Sequence, residues 1–315
     1  MKICLQVIAF NVDTWINEML ENAAPHVDKI FIAYPPRPWN YSEKSRTNIK
    51  NPTDIKDIKI KQLQCKVEIV YGDWKYDEDT RNALLQKARN EEYDWMIIQD
   101  ADEFYKDDAW NALKQEMENA TDTELLITPW INFWKNPRYV IVNRNNGIKS
   151  LNEGAAIKAK KSTCKFTYSR TSNAIKRKIV NADCYHYGYV MSDQAMKTKI
   201  NTWAHAKQIK EIKDWYNIKW LNWTEETKFL HPSSPYEWQC ATWFSLEQPL
   251  FASHFMRLNN NIEPNRKGLY LTIKELRWDR WSDLIKTTRN FKKMVRNTII
   301  NIKLKTKEKK LKTNS

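Results

Sequence analysis

Short apolar runs alternate with amphipathic stretches through the first third of the chain, and this rhythm limits the folds available to it. Residues 3–10 (ICLQVIAF), 27–34, 67–71 and 95–99 are rich in β-forming side chains and read as buried strands. Between the first two, Trp15, Ile16, Met19, Leu20 and Ala23 recur at helical spacing, with Asn11 or Asp13 available as a cap. Residues 55–63 read as a further helix. Residues 77–91 read as another, with Ala83, Leu84 and Ala88 on its apolar face. Pro35, Pro36 and Pro38 open a long polar loop after the second strand. Strands that alternate with helices need crossover connections, so the expected fold is α/β with a mostly parallel sheet covered on both faces. In such open sheets ligands sit beyond the carboxyl ends of the strands. Three places qualify: residues 10–13, 71–74 and 100–104, all polar or acidic.

After residues 125–129 the rhythm changes. β-like pieces at 139–142, 155–159 and 184–190 suggest a mixed or antiparallel extension. Residues 194–216 read as a long Lys-rich helical stretch, and a Trp- and Pro-containing segment follows. The expected organisation is a catalytic unit over 1–200, a helical and Trp-rich acceptor-side extension over 201–285, and a basic tail over 286–315. The chain has 315 residues and 42 % hydrophobic content, enough for a real core, which excludes global disorder. Fifteen Trp residues suit either core packing or sugar-stacking platforms.

The net charge of +14 suggests a polyanionic partner. Much of the excess lies between Lys286 and Lys312, so a globular enzyme with a basic tail fits as well as a nucleic-acid binder. Such a tail suits contact with an anionic membrane surface, or serves only solubility. The five cysteines show no zinc-ribbon or CxxC spacing, and reduced thiols in a cytosol-like compartment are the simplest expectation. No apolar stretch approaches a membrane span, so a cytoplasmic protein, soluble or peripheral at a membrane, is expected.

The sharpest chemical signal is Gln99-Asp100-Ala101-Asp102-Glu103-Phe104, directly after the fourth strand. Two carboxylates spaced by one residue at a sheet edge present oxygen ligands to Mg²⁺ or Mn²⁺, with phosphate oxygens completing the coordination. The plainer alternative is loop acidity, with Asp107 or Asp108 capping the helix around residues 110–117. Downstream, His186 lies in the aromatic run His186-Tyr187-Gly188-Tyr189, where Gly188 allows close backbone approach.

In these residues the chain resembles the GT-A glycosyltransferases, especially family 2. WMIIQDADEF (residues 95–104) is similar to the strand and acidic "DxD" motif of that family, and HYGY (residues 186–189) is similar to its His-containing motif. The likeness covers roughly residues 1–200 and implies a GT-A-type, Rossmann-like sheet flanked by helices. It implies Asp100, Asp102 and His186 as ligands of Mn²⁺ or Mg²⁺. It also implies Asn11 at the first nucleotide-binding turn, where the family's usual Asn-Glu pair is Asn11-Val12. Asp73 falls where the family places a group near the nucleobase, and Arg81 where it approaches the donor diphosphate, although a helix salt bridge is an equal reading for Arg81. The implied activity is inverting transfer of a sugar from a nucleoside-diphosphate sugar to a hydroxyl of a glycan, lipid or protein-linked acceptor, with no nucleic acid as partner.

Inversion needs a carboxylate to take the acceptor proton. Glu153, followed by Gly154 in an expected turn, Asp183, and the pair Glu225-Glu226 are candidates. Trp130, Phe133 and Trp134 are placed to stack an acceptor or to pack a lid. His231 beside Pro232 is a weaker candidate for an acceptor groove, and His26, His205 and His254 read as structural or surface residues. The rival classes are a metal-dependent phosphoryl-transfer enzyme or nuclease, and a module binding nucleic acid or membrane through the basic end.

Overall fold

The computed structural model describes residues 1–40, 48–203 and 212–244. In chain order the first strands are β1 (Ile3–Ile8), β2 (Lys29–Tyr34), β3 (Lys66–Tyr71), β4 (Trp95–Ile98), β5 (Glu103–Tyr105), β6 (Leu125–Ile127), β7 (Pro129–Trp134) and β8 (Asn136–Asn143). They are followed by β9 (Lys149–Leu151), β10 (Ala156–Lys158), β11 (Phe166–Tyr168), β12 (Thr171–Ser172), β13 (Arg177–Ile179), β14 (Cys184–Tyr189) and β15 (Trp238–Trp243). The main helices are α1 (Ile16–Ala23), α2 (Asp77–Asn90), α3 (Asp107–Asn119) and α4 (Asp193–Thr202).

The main sheet has the order β13-β6-β10-β4-β1-β2-β3. Its strands run parallel except β10, which is antiparallel to both β4 and β6. Strand alternation sends Ile3, Leu5 and Val7 to one face and Cys4 and Ile8 to the other. The first face shares a core with Ile16, Met19 and Leu20 of α1 and with Trp110, Leu113 and Met117 of α3. The second packs against Leu84, Leu85 and Ala88 of α2. Both faces are therefore covered, as the near-continuous apolar strands require. The α/β architecture implied by the sequence is present: a Rossmann-like, mostly parallel sheet between helices, followed by a mixed β extension.

That extension is a second sheet, β15-β8-β7-β14-β5, with β9 beside β7. It mixes pairings, because β14 is antiparallel to β5 and parallel to β7. Several expectations change here. The strand near residues 155–159 belongs to the main sheet as β10. Residues 55–63 form only a 3₁₀ turn over Ile55–Asp57, since a short Lys-rich segment cannot offset the cost of nucleating a helix. Helix α3 starts after Lys106, and Asp107 and Asp108 lie inside its first turn as favourable dipole partners. α1 has no side-chain cap from Asn11 or Asp13. Within the helical stretch expected over 194–216, α4 ends at Thr202 and helix is present again over Ile212–Trp215. Across the boundary expected at residue 200, β15 pairs with β8. The basic tail, residues 245–285, His205 and His254 lie outside the described residues. All five cysteines are free, and no helix among the described residues is long and apolar enough to cross a membrane.

One buried cluster joins the two sheets. Arg170, 4 % exposed, pairs through both guanidinium nitrogens with the fully buried Glu103 at the start of β5. It also donates to the Ile98 carbonyl at 2.6 Å and, through Nε, to the Gly154 carbonyl at 2.8 Å. Removing one partner of such a pair leaves a buried uncompensated charge, which costs about 3–5 kcal/mol. Arg170→Met should lower the unfolding free energy by about that amount in urea denaturation, and Arg170→Met with Glu103→Met should recover much of it.

Candidate active site

Strands β1, β3 and β4 run parallel, so Asn11, Asp73 and Asp100 all follow the carboxyl edge of the main sheet. At that edge the acidic motif makes a tight turn, closed by the Glu103 amide donating to the Asp100 carbonyl at 3.1 Å. The Gln99 side chain braces the turn by donating to the Glu103 carbonyl at 2.7 Å. The turn delivers the chain into β5, and the Tyr187 amide donates to the Asp102 carbonyl at 2.8 Å. Asp102 is thus fixed against β14.

Register does the rest. His186 of β14 lies opposite Glu103 of β5 and beside Asn132 of β7, so these three side chains share one face. Trp130 and Gly188, each two residues along, share that face too, whereas Ile131, Phe133, Tyr185 and Tyr187 point into the core. The alternation of polar and aromatic residues in both strands follows from this division.

His186 is held on three sides. Its ring stacks on Trp130 at 4.6 Å between centroids, and Trp130 also carries the Arg170 guanidinium at 5.3 Å. Its Nδ1 lies 2.6 Å from Asn132 Oδ1. Asn132 also directs its amide nitrogen to Ser150 Oγ at 3.1 Å. His186 Nε2 faces Asp102 Oδ1, 3.5 Å away. In the tautomer with its proton on Nδ1, Nε2 and Oδ1 would be two acceptors able to share a cation. The separation suits two ligands of one ion at ordinary bond lengths of about 2.0–2.2 Å. A ligating imidazole whose other nitrogen is tied to an amide oxygen is the usual outer-shell arrangement. Among the described residues no group of three or more His, Cys, Asp or Glu side chains is placed to hold a metal. A divalent ion held by Asp102 and His186 would take its remaining ligands from elsewhere, such as phosphate oxygens.

The other oxygen of Asp102 faces Lys199 of α4 at 3.2 Å. Burial alone pushes the Asp102 carboxyl up, but Lys199 and His186 beside it hold it well below the usual carboxylate range. Asp100 is arranged differently. Arg81 donates to one of its oxygens at 2.9 Å and Arg170 to the other at 3.3 Å. Burial raises its carboxyl and these two guanidinium groups more than compensate, so the Asp100 carboxyl lies below its ordinary value. With both oxygens accepting from arginines, Asp100 anchors the motif. Arg81 is buried and bonded as well to Asp77 at 3.1 Å. The salt-bridge reading of Arg81 is therefore the one its geometry supports.

The remaining candidates are dispersed. Asn11 takes the left-handed conformation (φ 56°), its backbone amide donates to Asn51 Oδ1 at 3.4 Å, and its side chain donates to the Ala195 carbonyl at 3.5 Å. Asp73 is paired with Arg37 on the surface. Glu153 is exposed and accepts from Thr171 Oγ1 at 2.5 Å, next to the Gly154 carbonyl that Arg170 holds. Asp183 is bound to Lys149 at 2.7 Å. It lies just before β14, three residues from His186, where the strand period places it on the opposite face. Glu225 accepts from the Tyr139 hydroxyl at 2.8 Å in a packing role. Phe133 and Trp134 are buried, Trp134 among Trp215, Trp220 and Trp238, so only Trp130 of that trio borders the site. His26 stacks on Trp110 and His231 abuts Trp238 edge-on while accepting backbone amides, so both serve structure.

Sequence reasoning did not single out Asn132, Arg170 or Lys199. Asn132 carries a signal in retrospect, as a polar residue between Ile131 and Phe133 in an otherwise apolar strand. Arg170 and Lys199 carry none, since each becomes special only through contacts with residues far away in the chain.

No family model and no curated protein sequence matches the chain. Among solved structures it is similar to S. aureus TarS 1-349, at 13 % identity and a TM-score of 0.34, over 70 % of this chain and 71 % of that one. It is similar to HddC from Yersinia pseudotuberculosis at 12 % identity and a TM-score of 0.37, over 63 % of this chain and 99 % of that one. It is also similar to 4-diphosphocytidyl-2C-methyl-D-erythritolsynthase from Anaerococcus prevotii DSM 20548, at 12 % identity and a TM-score of 0.35, over 62 % and 94 % of the two chains. Likeness of this extent leaves the activity to the chemistry of the site.

Gly188 is the tightest point of that chemistry. A Cβ there would stand 2.5 Å from His186 Nε2 and 3.2 Å from Asp102 Oδ2. The imidazole, clamped by Trp130 and Asn132, has little room to retreat. Gly188→Ala should cost about 1–3 kcal/mol of stability, checked by urea denaturation.

Proposed function

We propose that this protein is a glycosyltransferase that moves a sugar from a nucleoside-diphosphate sugar to a hydroxyl acceptor. The observation that carries the reading is the facing pair of Asp102 and His186 at the carboxyl edge of a parallel sheet. It is a half-complete cation site whose missing ligands are those a diphosphate provides. A divalent ion bound there would act as a Lewis acid for the negative charge that develops on the departing diphosphate.

The chain's own residues have separable tasks in this reading. Asp102 is held ionised with Lys199 beside it, and Asn132 holds the His186 ring through Nδ1 so that Nε2 faces Asp102. Asp100 orients the motif through its two arginines and keeps the Asp102 turn rigid. The turn at Asn11, with its left-handed backbone, gives room beside β1 for the nucleotide. The indole of Trp130 offers an apolar rim on which a sugar face can pack. Glu153 is the remaining candidate for accepting the acceptor's proton, being exposed and engaged only through Thr171 on its Oε2. Donor sugar, inversion at the anomeric carbon and the class of acceptor are parts of the same proposal, as is contact of the basic end with an anionic membrane.

A phosphoryl-transfer enzyme or nuclease is less well supported. Two-metal chemistry wants several acidic side chains converging on ions a few ångström apart. The other carboxylates near Asp102 are instead locked to arginines.

The deciding assay is release of nucleoside diphosphate from a panel of nucleotide sugars, in Mn²⁺ and in EDTA. One donor should turn over with the metal, and Asp102→Asn should reduce kcat/KM by roughly 10²-fold or more, the scale for losing a group that stabilises transition-state charge. Absence of any donor turnover or binding, with nucleic acid cleaved instead, would sink the reading in favour of a nuclease. Glu153→Gln should lower transfer to acceptor while leaving donor binding unchanged; an equal loss of donor affinity would reassign that residue.

A further inference from the structure

We infer that Lys199 couples the divalent cation to the diphosphate, so that neither binds well at Asp102 and His186 without the other. The inference deepens the donor reading above and rests on it for the identity of the anion. Asp102 divides its two oxygens between different partners. Oδ1 faces His186 Nε2 at 3.5 Å and Oδ2 faces Lys199 Nζ at 3.2 Å. A cation seated between Oδ1 and Nε2 would thus share one carboxylate with an ammonium group.

Two like charges that close repel in any medium less polar than water. The setting is not fully aqueous, since the Asp102, His186 and Lys199 side chains are 15 %, 14 % and 24 % exposed. The ammonium is also not free to leave. Nζ donates to the Gly188 carbonyl at 2.7 Å and stands 5.5 Å over the Tyr189 ring. Its helix is held in place too, by Met196 and Ile200 in the aromatic core and by the Asn11 contact to the Ala195 carbonyl.

An ammonium has three donors, and two are engaged by Asp102 and Gly188. The third, on a partly exposed nitrogen, is the natural partner for an incoming oxyanion. A diphosphate that touches both the ion and Lys199 replaces their repulsion with two attractions. By linkage the benefit is reciprocal: the anion strengthens the cation's binding and the cation the anion's. Free metal, or a free anion without metal, gains less. Lys199 would then select the metal–diphosphate unit over either half.

The test uses isothermal titration calorimetry on the full chain, with Mn²⁺ alone, and separately with inorganic pyrophosphate in EDTA. In Lys199→Met, free Mn²⁺ should bind about tenfold or more tightly than in wild type, while pyrophosphate should bind about tenfold more weakly, within the usual range of coupling energies. Lys199→Gln keeps a donor for the Gly188 carbonyl and should show the same opposed shifts, so a misfolded Met variant does not mask the result. Lys199→Arg keeps the charge and should stay near wild type in both titrations.

A purely structural Lys199 would weaken both ligands or neither, and either pattern overturns the coupling. So does wild-type protein that binds no Mn²⁺ even with pyrophosphate present. These titrations need no sugar donor. Opposed shifts without turnover of any nucleotide sugar would keep the coupling and remove the transferase reading. Turnover without opposed shifts would do the reverse.

Discussion

The bidentate contact between Arg170 and Glu103 is the interaction on which the arrangement of this site depends. Glu103 is the first residue of the second sheet, and Ile98, whose carbonyl Arg170 also holds, is the last of β4 in the main sheet. One side chain therefore fixes the angle at which the two sheets meet. It also sets the acidic turn between them, because the same guanidinium reaches Asp100. Burying an ion pair is a poor source of net stability, since desolvation opposes the attraction. Its value here is geometric: few other groups fix two carbonyls and two carboxylates at once in a planar fork.

From that junction the chemistry divides cleanly between the sheets. The main sheet supplies position, through an edge where several parallel strands end. The second supplies chemistry, through a row of side chains across β7, β14 and β5. Asp102 sits in the turn between them and belongs to neither. Among the described residues its carboxylate is the one member of the acidic cluster not matched to an arginine, and it faces His186 and Lys199 instead. The other acids nearby, Asp77, Asp100 and Glu103, build the support that keeps Asp102 still.

Much of the main sheet was legible in the sequence because its strands are apolar on both faces and its helices carry clear periodicity. Residues 3–10, 27–34, 67–71 and 95–99 all correspond to strands, and α2 falls close to its expected span. The failures have physical causes. Residues 55–63 carried apolar residues at helix-like spacing but too few turns to hold a helix. β10 was placed in the wrong sheet because strand character says nothing about partners. At the site, Asp102 and His186 were legible as residue types in context, while their facing geometry was not. Asp183 was readable as a candidate base near a β-like segment, yet the two-residue period of a strand puts it on the opposite side from His186. Asp100 and Asp102 are both readable as members of one acidic motif, and only the positions of Arg81, Arg170 and Lys199 show that they are held differently. The basic tail expected over residues 286–315 lies outside the described residues.

The pairing of β15 with β8 has a consequence for how the chain is made. Ala241 lies beside Ile141, so β8 waits for a partner synthesised much later. Until then its edge, with Val140 and Ile141, and the indole of Trp134 lack the cover that β15 and Trp238 provide. Contacts this distant in sequence form slowly, and unpaired strand edges invite association with other chains. The stage of greatest vulnerability is therefore the growing chain on the ribosome, after β14 has emerged and before residue 243 has.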